Sequence, residues 1–147
     1  PYHEALAAVI DEAVERFGGA ILIDMHSMPR DALAHLPRPR PDFVLGDRNG
    51  VSAAPRISAG VAEAVTAEGF RLRRNSPFSG AYITAAYGRP GRNVHVVQLE
   101  LDRSLYMDER MIEPRADFDL FAARFGAVMA RIAQLRPDER SQAIAAE

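Results

Sequence analysis

Leu6, Val9, Ile10, Ala13, Val14 and Phe17 recur at intervals of three and four residues. That spacing predicts an amphipathic helix over residues 3–17 with those side chains on its inner face. Pro1 suits the helix entry, and Gly18-Gly19 supplies the stop. Ala20-Ile21-Leu22-Ile23 then runs apolar without alternation, the pattern of a strand buried on both faces and hence of a mainly parallel sheet. Asp24-Met25-His26-Ser27 follows at the carboxyl end of that strand, the end at which open α/β sheets bind ligands.

Residues 29–42, with Pro29, Pro37, Pro39 and Pro41, read as a structured loop. Phe43-Val44-Leu45 is a second short strand closed by the polar turn Gly46-Asp47-Arg48-Asn49-Gly50. Ile57 to Ala67 is helical, and Phe70 to Arg74 is an edge strand because its side chains are largely polar. After a turn at 75–80, Ala81 to Ala86 is expected as a strand, and 88–93 as another turn. Val94 to Leu101 alternates most regularly: Val94, Val96, Gln98 and Glu100 share one face, and His95, Val97, Leu99 and Leu101 the other. Phe118, Phe121, Ala122, Phe125, Val128, Met129 and Ile132 make the apolar stripe of a last helix, about 117–135. The tail after Pro137 is expected to fray. The sum is one α/β domain over residues 1–147, with a mixed, mainly parallel sheet flanked by helices.

Composition narrows the chemistry. The chain has no cysteine, which excludes disulfides, thiolate metal sites and cysteine nucleophiles. A net charge of −2 gives no reason to expect nucleic acid or an anionic membrane as partner. No apolar run is long enough to span a bilayer, so a cytoplasmic protein acting on a small molecule is the expectation. The chain opens on Pro1-Tyr2-His3 without an initiator Met and reads as a piece of something longer.

Glu100 is the most informative position. A carboxylate among Val97, Leu99 and Leu101 costs several kcal/mol unless something pairs with it. It is either one half of an ion pair with an arginine or a general base tuned by burial or a metal. His26 is either a satisfied structural residue or a ligand, and Asp24 two residues earlier could orient it. Ser27 lacks a G-x-S-x-G elbow, which argues against a serine hydrolase. His3-Glu4 begins like a zinc-protease helix, but Ala7 breaks H-E-x-x-H. His35 is expected to be solvated, His95 structural, and the arginines at 71–74 and 89–92 solvated. These residues place a histidine and a buried carboxylate at strand ends and name no reaction.

PYHEAL (1–6), ILIDMHSMP (21–29), DFVLGDRNGVS (42–52), RRNSPFSGAYI (73–83), YGRPG (87–91) and VHVVQLELDRSLYMDE (94–109) resemble, in order and spacing, the N-formylglutamate amidohydrolase family. The resemblance implies a zinc carboxypeptidase-like fold, of which this chain is the C-terminal part. It also implies a zinc-dependent hydrolase that releases formate and L-glutamate from N-formyl-L-glutamate in histidine degradation. One Zn²⁺ would take His26 as a ligand with Asp24 behind it, and Glu100 would be the general base. Two further zinc ligands belong to an N-terminal motif that does not occur in this sequence. Arg48, Arg103 and Asn75 are the candidates for holding substrate, and His3 with Tyr2 for lining the pocket. Ser79-Gly80-Ala81 stands where the family often shows a glycine pair. Two other readings remain at this stage: a deacylase of another N-acyl amino acid, and a non-catalytic fragment that folds without metal.

Overall fold

The computed structural model describes residues 1–137, so the tail expected to fray beyond Pro137 lies outside the described residues. Helix α1 (Tyr2–Phe17) stops at Gly18, whose positive φ of 77° lets its N–H reach back to Val14 O. Strand β1 (Ala20–Met28) follows, then a loop, β2 (Phe43–Gly46), α2 (Pro55–Ala67) and β3 (Leu72–Arg74). A short helix α3 (Tyr82–Tyr87) leads to β4 (Val94–Asp102). A small hairpin, β5 (Met107–Asp108) and β6 (Glu113–Pro114), precedes the last helix, α4 (Phe118–Ile132). The main sheet has the order β1-β4-β2-β3. β1 runs parallel to β4 and β2 parallel to β3, while β2 meets β4 antiparallel. This is the mixed, mainly parallel sheet expected.

The odd face of β4 carries the core. Val97, Leu99 and Leu101 pack with Phe43 and Leu45 of β2, with Ile57, Val61 and Val65 of α2, and with Val128 and Ile132 of α4. Phe121 and Phe125 stack at 5.7 Å, and Phe43 lies 6.3 Å from Phe125. The fully buried members of this core, such as Phe43, Leu45, Val61 and Leu99, contribute about 1.5–3 kcal/mol each over their exposed state. On the other face, α1 lays Leu6, Ile10, Ala13 and Val14 against Ala20, Leu22 and Val94.

Several expectations change here. Residues 82–87 form a helix, not a strand, with Ala85 N–H bonded to Ala81 O and Gly88 N–H to Thr84 O. Both edges of β4 are already taken by β1 and β2, so this segment has no strand to pair with there. β1 continues to Met28, which puts Asp24 and His26 inside the strand, and it is only half-buried. Val9 and Phe17 of α1 are exposed rather than packed. Arg71 is not merely solvated: its guanidinium forks Asp42 through Nε at 2.9 Å and Nη2 at 2.5 Å, and this pair fastens β3 to the start of β2. His35 is exposed, as expected.

Candidate functional site

The parallel register sets Asp24 opposite Gln98 and His26 opposite Glu100. Alternation then puts all four side chains on the face of the sheet away from the main core. His26 Nε2 lies 3.1 Å from Asp24 Oδ1, and His26 Nδ1 lies 3.6 Å from Glu100 Oε1. The first contact is within ion-pair distance of a carboxylate; the second is too long for a hydrogen bond. Asp24 Oδ2 is buried without a hydrogen-bond partner among the described residues. Gln98 Nε2 donates to Glu100 Oε1 at 2.9 Å.

Burial is the largest influence on Glu100 and raises its pKa above the ordinary value. His26, the Gln98 amide and Arg103 pull the other way without cancelling it, and Asp24 adds to the rise. A carboxyl so placed accepts a proton more readily than a free one. No arginine forms an ion pair with Glu100 among the described residues, which removes the bland explanation of a carboxylate in this strand.

The other expected residues fall in different places. Arg103 follows β4 directly and is anchored to Ser27, Nε to Oγ and Nη2 to the carbonyl oxygen, both at 3.2 Å. Arg48 sits at a positive φ of 54° in the turn after β2, its N–H bonded to Ser79 O at 2.6 Å. Its side-chain stem crosses Gly80, where a Cβ would lie 3.1 Å from Arg48 Cγ. Asn75 is spent on the same turn: its Oδ1 accepts from Asp47 N–H at 3.0 Å and its Nδ2 donates to Asp47 Oδ1 at 2.8 Å. Asn75 therefore holds the Asp47–Asn49 backbone in shape. His3 belongs to an exposed aromatic group, Nδ1 2.8 Å from Tyr87 Oη and its ring 5.1 Å from those of Tyr2 and Tyr82. It makes no hydrogen bond to the His26–Glu100 group. His95 lies on the opposite face, buried, with Nδ1 accepting from Ala54 N–H at 3.2 Å.

Gln98 and Ser27 are the residues whose parts the sequence did not suggest. An amide two positions before a carboxylate in an otherwise apolar strand was the available signal, since a buried amide needs partners.

Comparisons with known proteins identify relatives of the chain. A sequence profile of the N-formylglutamate amidohydrolase family matches residues 1–107. An N-formylglutamate deformylase from Pseudomonas aeruginosa is 42% identical over 112 residues, covering 75% of this chain and 42% of the relative. One from Pseudomonas putida is 43% identical over 114 residues, covering 74% and 41%. The crystal structure of an N-formylglutamate amidohydrolase from Ralstonia eutropha superposes with a TM-score of 0.80 at 34% identity, over 90% of this chain and 48% of that one. The chain thus spans about two fifths of the curated relatives and about half of the solved structure. On the profile match and the shared architecture, this chain belongs to the N-formylglutamate amidohydrolase family.

Proposed function

We propose that these residues form part of the active site of a zinc-dependent amidohydrolase that converts N-formyl-L-glutamate to formate and L-glutamate. The observation that carries the proposal is the facing pair His26 and Glu100, with Nδ1 3.6 Å from Oε1 and a buried carboxyl of raised pKa. Among the described residues, no arginine forms an ion pair that would account for that carboxylate.

The donor set suits zinc. His26 has one ring nitrogen 3.1 Å from Asp24 Oδ1, where a carboxylate can orient a ligating imidazole, and its other nitrogen faces Glu100. The unpartnered, buried Asp24 Oδ2 adds an acceptor beside it. Among the described residues no cluster of three or more metal-binding side chains occurs, so in this proposal the remaining ligands come from outside them. When bound, zinc would supply Lewis acidity toward the formyl oxygen and acidify water.

Glu100 takes a proton from the attacking water as its oxygen bonds to the formyl carbon. It returns that proton to the amine nitrogen as the C–N bond breaks, leaving formate and glutamate. A carboxyl with a raised pKa suits both halves of that exchange near neutral pH. Arg103, steadied by Ser27, and Arg48, whose guanidinium makes no hydrogen bond or ion pair among the described residues, would receive the substrate carboxylates.

The test is formate release from N-formyl-L-glutamate, with zinc content measured on the same sample. Turnover that disappears on chelation and returns with zinc supports the proposal. Turnover of another N-acyl amino acid, with none of N-formyl-L-glutamate, would move the substrate assignment. Turnover indifferent to chelation would sink the metal.

A further inference from the structure

We infer that Gln98 is a positioning residue that locks the Glu100 carboxylate to the Ser79–Ala81 segment crossing the site face. The inference rests on the role proposed above for Glu100. Gln98 is 3% exposed and uses both ends of its amide. Its Oε1 accepts from Ala81 N–H at 2.7 Å, and its Nε2 donates to Glu100 Oε1 at 2.9 Å. The amide cannot be turned over, because Ala81 N–H can only donate and an ionised Glu100 can only accept.

The neighbours explain why the crossing segment lies there. Gln98 pairs in register with Gly46 of β2. A Cβ on Gly46 would fall 2.6 Å from Gly80 N and 2.7 Å from Ser79 C, so the missing side chain is what lets the Ser79–Gly80 backbone rest on the sheet. The same segment accepts the Arg48 N–H through Ser79 O. One amide therefore joins the carboxylate at position 100 to the backbone that seats Arg48. It also engages Glu100 through Oε1 alone, and Oε2 has no hydrogen bond among the described residues. That leaves the second oxygen to meet water.

Gln98→Met keeps the bulk and removes both bonds. Gln98→Glu keeps an acceptor for Ala81 N–H while removing the amide donor toward Glu100. Formate-release kinetics and crystal structures of both variants, beside the unsubstituted protein, test the inference. In each variant kcat should fall about 10–100-fold, the range for losing a partner that orients a ligand or base. In Gln98→Glu, KM should stay within about threefold, since the bond to Ala81 N–H and the segment that seats Arg48 are kept. The Glu100 carboxylate should be displaced in both structures, with Ala81 held in place in Gln98→Glu. An unmoved Glu100 in both structures, an unchanged kcat in Gln98→Glu, or a rise in KM alone would each overturn the inference. If the unsubstituted protein releases no formate, the functional proposal fails instead, and the position of Glu100 in the variant structures still decides the role of Gln98.

Discussion

His26 of β1 and Glu100 of β4 stand opposite one another on neighbouring parallel strands, Nδ1 3.6 Å from Oε1. The gap exceeds a hydrogen bond. The same Glu100 Oε1 accepts from Gln98 Nε2 at 2.9 Å, and on the other side of the imidazole His26 Nε2 lies 3.1 Å from Asp24 Oδ1. His26 Nδ1 and Glu100 are thus brought face to face without being bonded to each other, and Glu100 Oε2 has no hydrogen bond among the described residues.

Glu100→Gln keeps the size of the side chain and removes its basicity. Turnover of N-formyl-L-glutamate should drop by about 10²–10⁴-fold, the span for a lost general base. Zinc content should be unchanged. Near-normal kcat in a formate-release assay would rule Glu100 out as the base.

If His26 is a ligand as proposed, His26→Ala should abolish zinc binding, because it removes the imidazole that lies 3.1 Å from Asp24. Elemental analysis after dialysis reads this directly. Zinc retained at the level of the unsubstituted protein would exclude His26 as a ligand.

Gly46→Ala tests the crossing segment. The new methyl would press on the backbone at Ser79 and Gly80, which cannot yield as a flexible side chain would. We expect a loss of about 1–3 kcal/mol on denaturant unfolding, typical of overpacking, together with reduced kcat. An unchanged unfolding midpoint would show that the segment is free to lift.

Asp47 predicts a dependence on pH. Burial opposes its ionisation, but the nearby Ser58 hydroxyl, hydrogen bonds from Asn75 and the Gly50 N–H, and the charge of Arg74 outweigh this and hold its pKa below the ordinary value. A carboxyl with a lowered pKa adds stability that is complete above its unfolded pKa and is lost as pH falls through the folded one. Asp47→Ala should therefore cost about 1–3 kcal/mol at neutral pH, and the difference should shrink as pH falls below the ordinary carboxylate range. A gap of constant size across that range would contradict the assignment.

The elements legible in advance are those whose signal is local and repeated. α1 and α4 follow a helical period, and β4 alternates apolar and polar from Val97 to Asp102. The same alternation put Glu100 on the face of β4 away from Leu99 and Leu101 before any neighbour was known. The strand expected at 81–86 failed for the converse reason. Tyr82, Ile83 and Thr84 favour strands by type, yet a strand needs an open edge, and β4 has none to offer. Asn75 looked like a free donor, and the fold spends its amide on the Asp47 turn.

By itself the sequence determined where apolar periodicity places helices and strands, which strand carries a carboxylate it must satisfy, and which family its motifs resemble. Only the tertiary structure decided what meets that carboxylate. The register of β1 on β4 brought His26 to Glu100, and the bare backbone of Gly46 admitted the segment that Gln98 binds. Periodicity arises from neighbours along the chain, which the sequence lists. Charge pairing and hydrogen bonding here arise between residues 74 positions apart at His26 and Glu100 and 17 apart at Ala81 and Gln98, and only packing selects those partners.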